Sequence, residues 1–141
     1  MTGLPAEAYA SVMAVLLALF LARVVGQVLA ATVAPAWLPP MKRWYSGLMP
    51  YRFLLPAQVL FLIVMTVMTV AVARETAPLG TPAPVAGAWV MRASGVYAAG
   101  MTVRLVRYLR ASPERRGVLI PIIFHFALAA FLFTYGRALA R

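Results

Sequence analysis

Residues 59–73 read VLFLIVMTVMTVAVA, and how this run folds decides the architecture of the chain. Its β-branched content would suggest a strand in water. Its length argues for a helix. The apolar run extends back to Leu54 and matches the roughly 20 residues that a helix needs to cross a bilayer core. The reading is a membrane helix over about 54–73. Thr66 and Thr69 do not spoil it, because a helical threonine can bond back to a carbonyl of its own helix. Gln58 lies near its start.

Three further segments of the same kind lie on either side. The first covers about 4–33 and is longer than one crossing needs, so it tilts, protrudes or ends early. It resembles a signal peptide only in its apolar run: it has no basic leader and carries Glu7, so it reads as a retained span. The third covers about 87–109 and is the least hydrophobic, with Arg92 and Arg104 flanking the small-residue core ASGVYAAGMTV. The fourth covers about 118–139. Between the first two, about 35–53, five prolines up to Pro56 forbid one regular helix. There Trp37, Trp44, Tyr45 and Tyr51 alternate with Lys42, Arg43 and Arg52. Aromatic and basic residues together mark the membrane–water interface, so this connector should lie on the membrane, with a short turn around 44–48. Residues 74–86 are a Pro-rich loop, expected to be extended. Ser112, Pro113 and Glu114 resemble a cap and first turn for the fourth segment. The fold class is thus an all-α integral membrane protein, a four-transmembrane-helix bundle in a single membrane domain over residues 1–141.

Composition agrees. Of 141 residues, 64% are hydrophobic and 11% charged, with mean hydropathy +0.88, whereas soluble domains carry roughly 25% charged residues. The net charge of +10 comes from 13 Lys and Arg against three acids. The cations sit at helix ends and turns, where membrane topology accounts for them, so nucleic acid is not expected as a partner. All of them but Lys42 are arginine, and alanine is abundant, which suggests a high-GC bacterial genome and hence the bacterial inner membrane. Lys42, Arg43, Arg52, Arg107, Arg110, Arg115 and Arg116 collect in two turns, which the positive-inside rule places in the cytoplasm, with both termini outside.

The chemistry available is narrow. There is no cysteine, which removes disulfides, thiolate zinc sites and iron–sulfur clusters. There is no aspartate, and the three glutamates fall at helix ends or loops, so neither paired-carboxylate catalysis nor a carboxylate proton path is expected. With one histidine no catalytic zinc site can be built, so no metal is expected.

That histidine, His125, lies within IPIIFHFALAAFLFTYG, residues 120–136. It is a neutral side chain hydrogen-bonded across a helix interface, a proton carrier, or an axial ligand to chlorophyll or haem, with Ala129 one turn away leaving room for a flat ring. Arg23 and Gln27 lie one turn apart on one helix face. Arg23 and Arg92 have too few acids in this chain to pair with, so they snorkel, bind lipid phosphate or meet another protein's carboxylates. Trp44, Tyr45, Arg104 and Arg107 join them as candidate contacts to lipid or partner. Ser94 and Ala98 share one face of segment three, Gly95 and Ala99 an adjacent one. Small residues at that spacing let helix backbones approach, so this helix should be buried in protein.

Three function classes follow. The leading one is a non-enzymatic accessory or scaffold subunit of a larger integral membrane complex, contacting neighbours and anionic phospholipids, with self-association through segment three as an option. The second is a tetrapyrrole-binding electron-transfer or light-harvesting component using His125. The third is a transporter or membrane enzyme for an anionic lipid or small anion, using Arg23 or Arg92 with Gln27 and His125. That last class requires a polar cavity reaching Arg23 and His125.

Overall fold

The computed structural model describes residues 4–44, 46–47, 49–113 and 117–141. Four α-helices follow one another among the described residues: α1 (Ala6–Thr32), α2 (Tyr51–Arg74), α3 (Pro84–Arg110) and α4 (Leu119–Leu139), with a 3-10 turn at Met41–Arg43. No strand occurs among the described residues. The β-branched run of residues 59–73 lies wholly within α2. By length and composition α1, α2 and α4 can each cross a membrane; α3 is not among them.

The helices form a row rather than a closed four-helix bundle. α2 and α4 both pack on α1 but touch each other only marginally. α3 packs on α4 and makes no comparable contact with α1 or α2. The core lies between α1, α2 and α4, towards the start of α1 and the end of α4, with Met13, Val72 and Phe131 fully buried. On α2 only one stripe faces inward, through Gln58, Met65, Thr69 and Val72. Leu60, Phe61, Ile63, Val64, Val67 and Val70 point outward. An apolar exterior of this kind suits hydrocarbon, where helices associate by shape and hydrogen bonding rather than by hiding from water.

α3 departs from the sequence expectation. Only Gly87 and Ser94 are buried within this chain. Both face α4, where Ala129 and Gly136 are buried in turn. A Cβ added at Gly87 would lie 2.6 Å from the Gly136 carbonyl oxygen, and one at Gly136 would lie 2.9 Å from that of Gly87. Ser94 Oγ donates to the Ala129 carbonyl at 2.8 Å. The seam thus pairs small residues seven apart on each helix, Gly87 and Ser94 against Ala129 and Gly136. A seven-residue repeat keeps one narrow face turned to the neighbour along a left-handed crossing. Gly95 and Ala99 are not in it. Both are exposed, and nothing lies within 4 Å of a Cβ built at Gly95. Ala98 is half-buried at the seam's edge.

Two of the three helix connections are more tightly folded than expected. Residues 75–83 turn back onto the end of α4 instead of extending. Tyr135 donates to the Leu79 carbonyl at 2.9 Å, and the Ala83 N–H to that of Leu139 at 2.8 Å. Arg141 reaches both Glu75, at 3.3 Å, and the Gly80 carbonyl, at 3.2 Å. At the other end Trp44 turns into the chain rather than outward. It is buried, its indole N–H donates to the Pro39 carbonyl at 2.9 Å, and its ring lies against Gly26 of α1. Trp37 is the exposed tryptophan of the connector, at 77%. The connector's turn falls at Met41–Arg43, just before the residues expected to form it. α4 begins at Leu119 with Val118 before it and no side-chain cap, so Ser112 does not cap it. Glu114 lies outside the described residues, as do Tyr45, Arg115 and Arg116.

Candidate functional site

Because α2 and α4 each lean on α1 but scarcely on one another, a groove runs between them with α1 as its floor. Leu54, Gln58 and Phe61 form one wall, at successive turns of α2. Pro121, Phe124, His125 and Leu128 form the other, again one face of α4. Phe20 and Arg23 lie at the bottom. The hollow holds about 110 Å³ and is half open to the exterior. Its walls are mostly apolar, with three polar side chains converging from three helices.

Arg23 is 8% exposed: within this chain it is packed among helices. One Nη donates to the Trp44 carbonyl at 3.3 Å, and the guanidinium carbon stands 5.5 Å from the Phe124 ring centre and 6.0 Å from that of Phe20. Its Nε–H has no partner among the described residues, and no carboxylate pairs with it. Aromatic faces attract a cation weakly compared with an anion, so its charge is left largely uncompensated by this chain.

Gln27, one turn beyond Arg23, is fully buried and meets Gln58 across the α1–α2 interface. Gln58 Nε2 donates to Gln27 Oε1 at 2.9 Å. The pair leaves Gln27 Nε2 and Gln58 Oε1 unpartnered among the described residues. The Gln58 end of this pair borders the groove.

His125 is half-buried between α3 and the groove. Its Nδ1 shares a hydrogen bond with the Tyr97 hydroxyl of α3, and the two rings meet edge to face at 82°. This contact fixes the imidazole's orientation and leaves Nε2 as its available atom. The sequence reading named neither Tyr97 nor Gln58 as a site residue. The signal was there in both cases, a lone polar group in an apolar run, but its direction depends on which helix lies opposite.

The other candidates lie elsewhere. Arg92 is exposed, its guanidinium 5.2 Å from the Trp89 ring centre on the outer side of α3. Arg104 and Arg107 border a larger open hollow with Ser46, Gly117 and Val118, where the connector meets the turn between α3 and α4. Among the described residues no group of His, Asp and Glu is placed to hold a metal ion. No protein-family model matches the chain, and neither a curated protein nor a solved structure matches it.

Proposed function

We propose that this chain is a non-enzymatic subunit of a larger assembly in the bacterial inner membrane, and that α3 is the helix that meets its neighbour. The observation that carries this reading is the mismatch between the composition of α3 and its surroundings. α3 runs antiparallel beside α4, pairing Gly87 with Gly136 and Ser94 with Ala129. It therefore shares the depth of a helix able to cross the bilayer and acts as the fourth span. Yet it is too polar to rank with the other three, and it turns Arg92, Gly95, Val96, Ala99, Gly100 and Val103 outward. Lipid is a poor neighbour for an arginine and bare glycine backbone; another helix is a good one.

The outer side of the α3–α4 seam supports the same reading. There a hollow of about 310 Å³ is floored by small residues, Gly95, Ala98 and Ala130 among them, between Phe126 and Phe133. Its occupant is a transmembrane helix of a different protein, small at the contact and carrying a carboxylate within reach of Arg92. A second copy of this chain is the weaker fit. With 13 cations against three acids, it would bring further arginines to arginines. The positive-inside rule sets both basic turns in the cytoplasm and both termini outside.

The test is purification in mild detergent with a subunit inventory, combined with a photo-crosslinking residue at Gly95 or Ala99. Ile63, on the outer face of α2, is the control position. The expected result is one protein adduct of constant mass and fixed stoichiometry from the α3 positions, weakened by Arg92→Ala, with lipid adducts alone from Ile63. A solitary 15.3 kDa chain giving lipid adducts from every position overturns the reading.

A further inference from the structure

We infer that the groove between α2 and α4 is a binding site for the head group of an anionic phospholipid, of the kind whose phosphodiester carries a hydroxyl-bearing head. The inference is independent of the α3 interface. It rests on two side chains that line one hollow from different helices, each with a buried atom that has no partner among the described residues. Arg23, more than nine-tenths buried, keeps an unpartnered Nε–H; Gln58, 4% exposed, keeps an unpartnered Oε1. A buried cation without a counter-ion calls for an anion. A buried carbonyl oxygen without a donor calls for a hydroxyl or N–H. A phosphodiester with a glycerol head supplies both at neighbouring atoms: the phosphate oxygens accept from Arg23 and the hydroxyl donates to Gln58.

The walls then select a lipid over free phosphate. Phe20, Leu54, Phe61, Phe124 and Leu128 surround the polar floor, and Phe61 is half-exposed at the mouth of the groove. An acyl chain leaving the head group would run along these side chains into the bilayer. The depth is compatible. α1, at 27 residues, is about 40 Å long, some 10 Å more than the hydrocarbon core. Arg23 stands about 13 Å along the axis from Thr32 at about 1.5 Å per residue. With α1 protruding at that end, Arg23 lies just inside the leaflet that carries the basic turns, within reach of a head group drawn slightly inward.

The experiment is native mass spectrometry of the purified full chain in detergent micelles doped with phosphatidylglycerol, phosphatidylcholine or inorganic phosphate. Charge-assisted hydrogen bonds of this kind correspond to a preference of about ten- to a hundredfold for phosphatidylglycerol over phosphatidylcholine, whose head has no donor and its own cation. Arg23→Gln should remove that preference. Since Arg23 also holds the Trp44 carbonyl, Leu54→Trp is the companion variant: it fills the groove from the lipid-facing wall and leaves Arg23 in place. It should lose the adduct while keeping its helicity by circular dichroism. Equal retention of both lipids overturns the inference. So does a phosphatidylglycerol preference that survives Leu54→Trp, because the exterior arginines would then hold the lipid. Inorganic phosphate displacing the lipid at equal concentration overturns the lipid as the source of the anion.

Discussion

α3 carries glycines inside and outside its seam with α4, and alanine placed at each should have opposite effects. At Gly87 the added methyl would meet the Gly136 carbonyl oxygen at 2.6 Å and the Ala140 nitrogen at 2.8 Å. Both are backbone atoms that cannot rotate away, so relief requires α3 to move off α4 by several tenths of an ångström. A gap of about 0.5–1 Å forfeits a quarter to a half of each dispersion contact along the seam. Overpacking of this sort costs about 1–3 kcal/mol. At Gly95 and Gly100 nothing lies within 4 Å, and alanine gains up to about 1 kcal/mol of helix propensity over glycine. The two classes of variant should therefore differ by roughly 1–4 kcal/mol, the sum of these terms. The assay is reversible unfolding of the purified chain in mixed micelles by titration with sodium dodecyl sulfate, followed by circular dichroism. Gly87→Ala should unfold earlier than the parent, Gly95→Ala and Gly100→Ala no earlier. If Gly95→Ala destabilises while Gly87→Ala is neutral, α3 presents its other face to α4 and the seam described above is wrong.

Three further outcomes follow from the same packing. Ser94→Ala removes the bond to the Ala129 carbonyl and should cost about 0.6 kcal/mol, the average for interhelical hydrogen bonds in membranes, in the same titration. Gln27→Leu or Gln58→Leu alone leaves a buried amide without its partner and should cost about 1–3 kcal/mol, whereas the double variant should recover most of the loss; a strictly additive cycle would refute the pairing. Gly26→Ala pushes a methyl to 2.6 Å from the Trp44 ring, so Trp44 should leave its pocket. With Trp37 and Trp89 replaced by phenylalanine, the remaining emission should shift to the red, and an unchanged spectrum would place Trp44 away from α1.

The membrane character of the chain was legible without a structure. Runs such as residues 59–73 are too long for strands and too apolar for water, and in hydrocarbon a helix satisfies every backbone group within itself. Hydropathy over about 20 residues is a local property, so α1, α2 and α4 could be read from composition alone. The back-bonding of Thr66 and Thr69 to Leu62 and Met65 was legible for the same reason, since both partners lie one turn away.

The face of α3 that packs was not legible. The segment offers small residues four apart at Gly95 and Ala99, and seven apart at Gly87 and Ser94, and either set could seat a neighbouring helix. Lipid gives no hydrophobic incentive to choose between them, so shape and hydrogen bonding to the opposite helix decide. α4 supplies Ala129, Gly136 and the His125 imidazole on one side, and these select Ser94, Gly87 and Tyr97. The groove is likewise a tertiary product. Arg23, Gln58 and His125 lie on three helices and converge only because α2 and α4 lean on α1 without closing on each other. The sequence by itself determined which segments are helices and which can span a bilayer, because those depend on neighbours along the chain. Which polar groups meet, and which are left without partners, depended on neighbours across it.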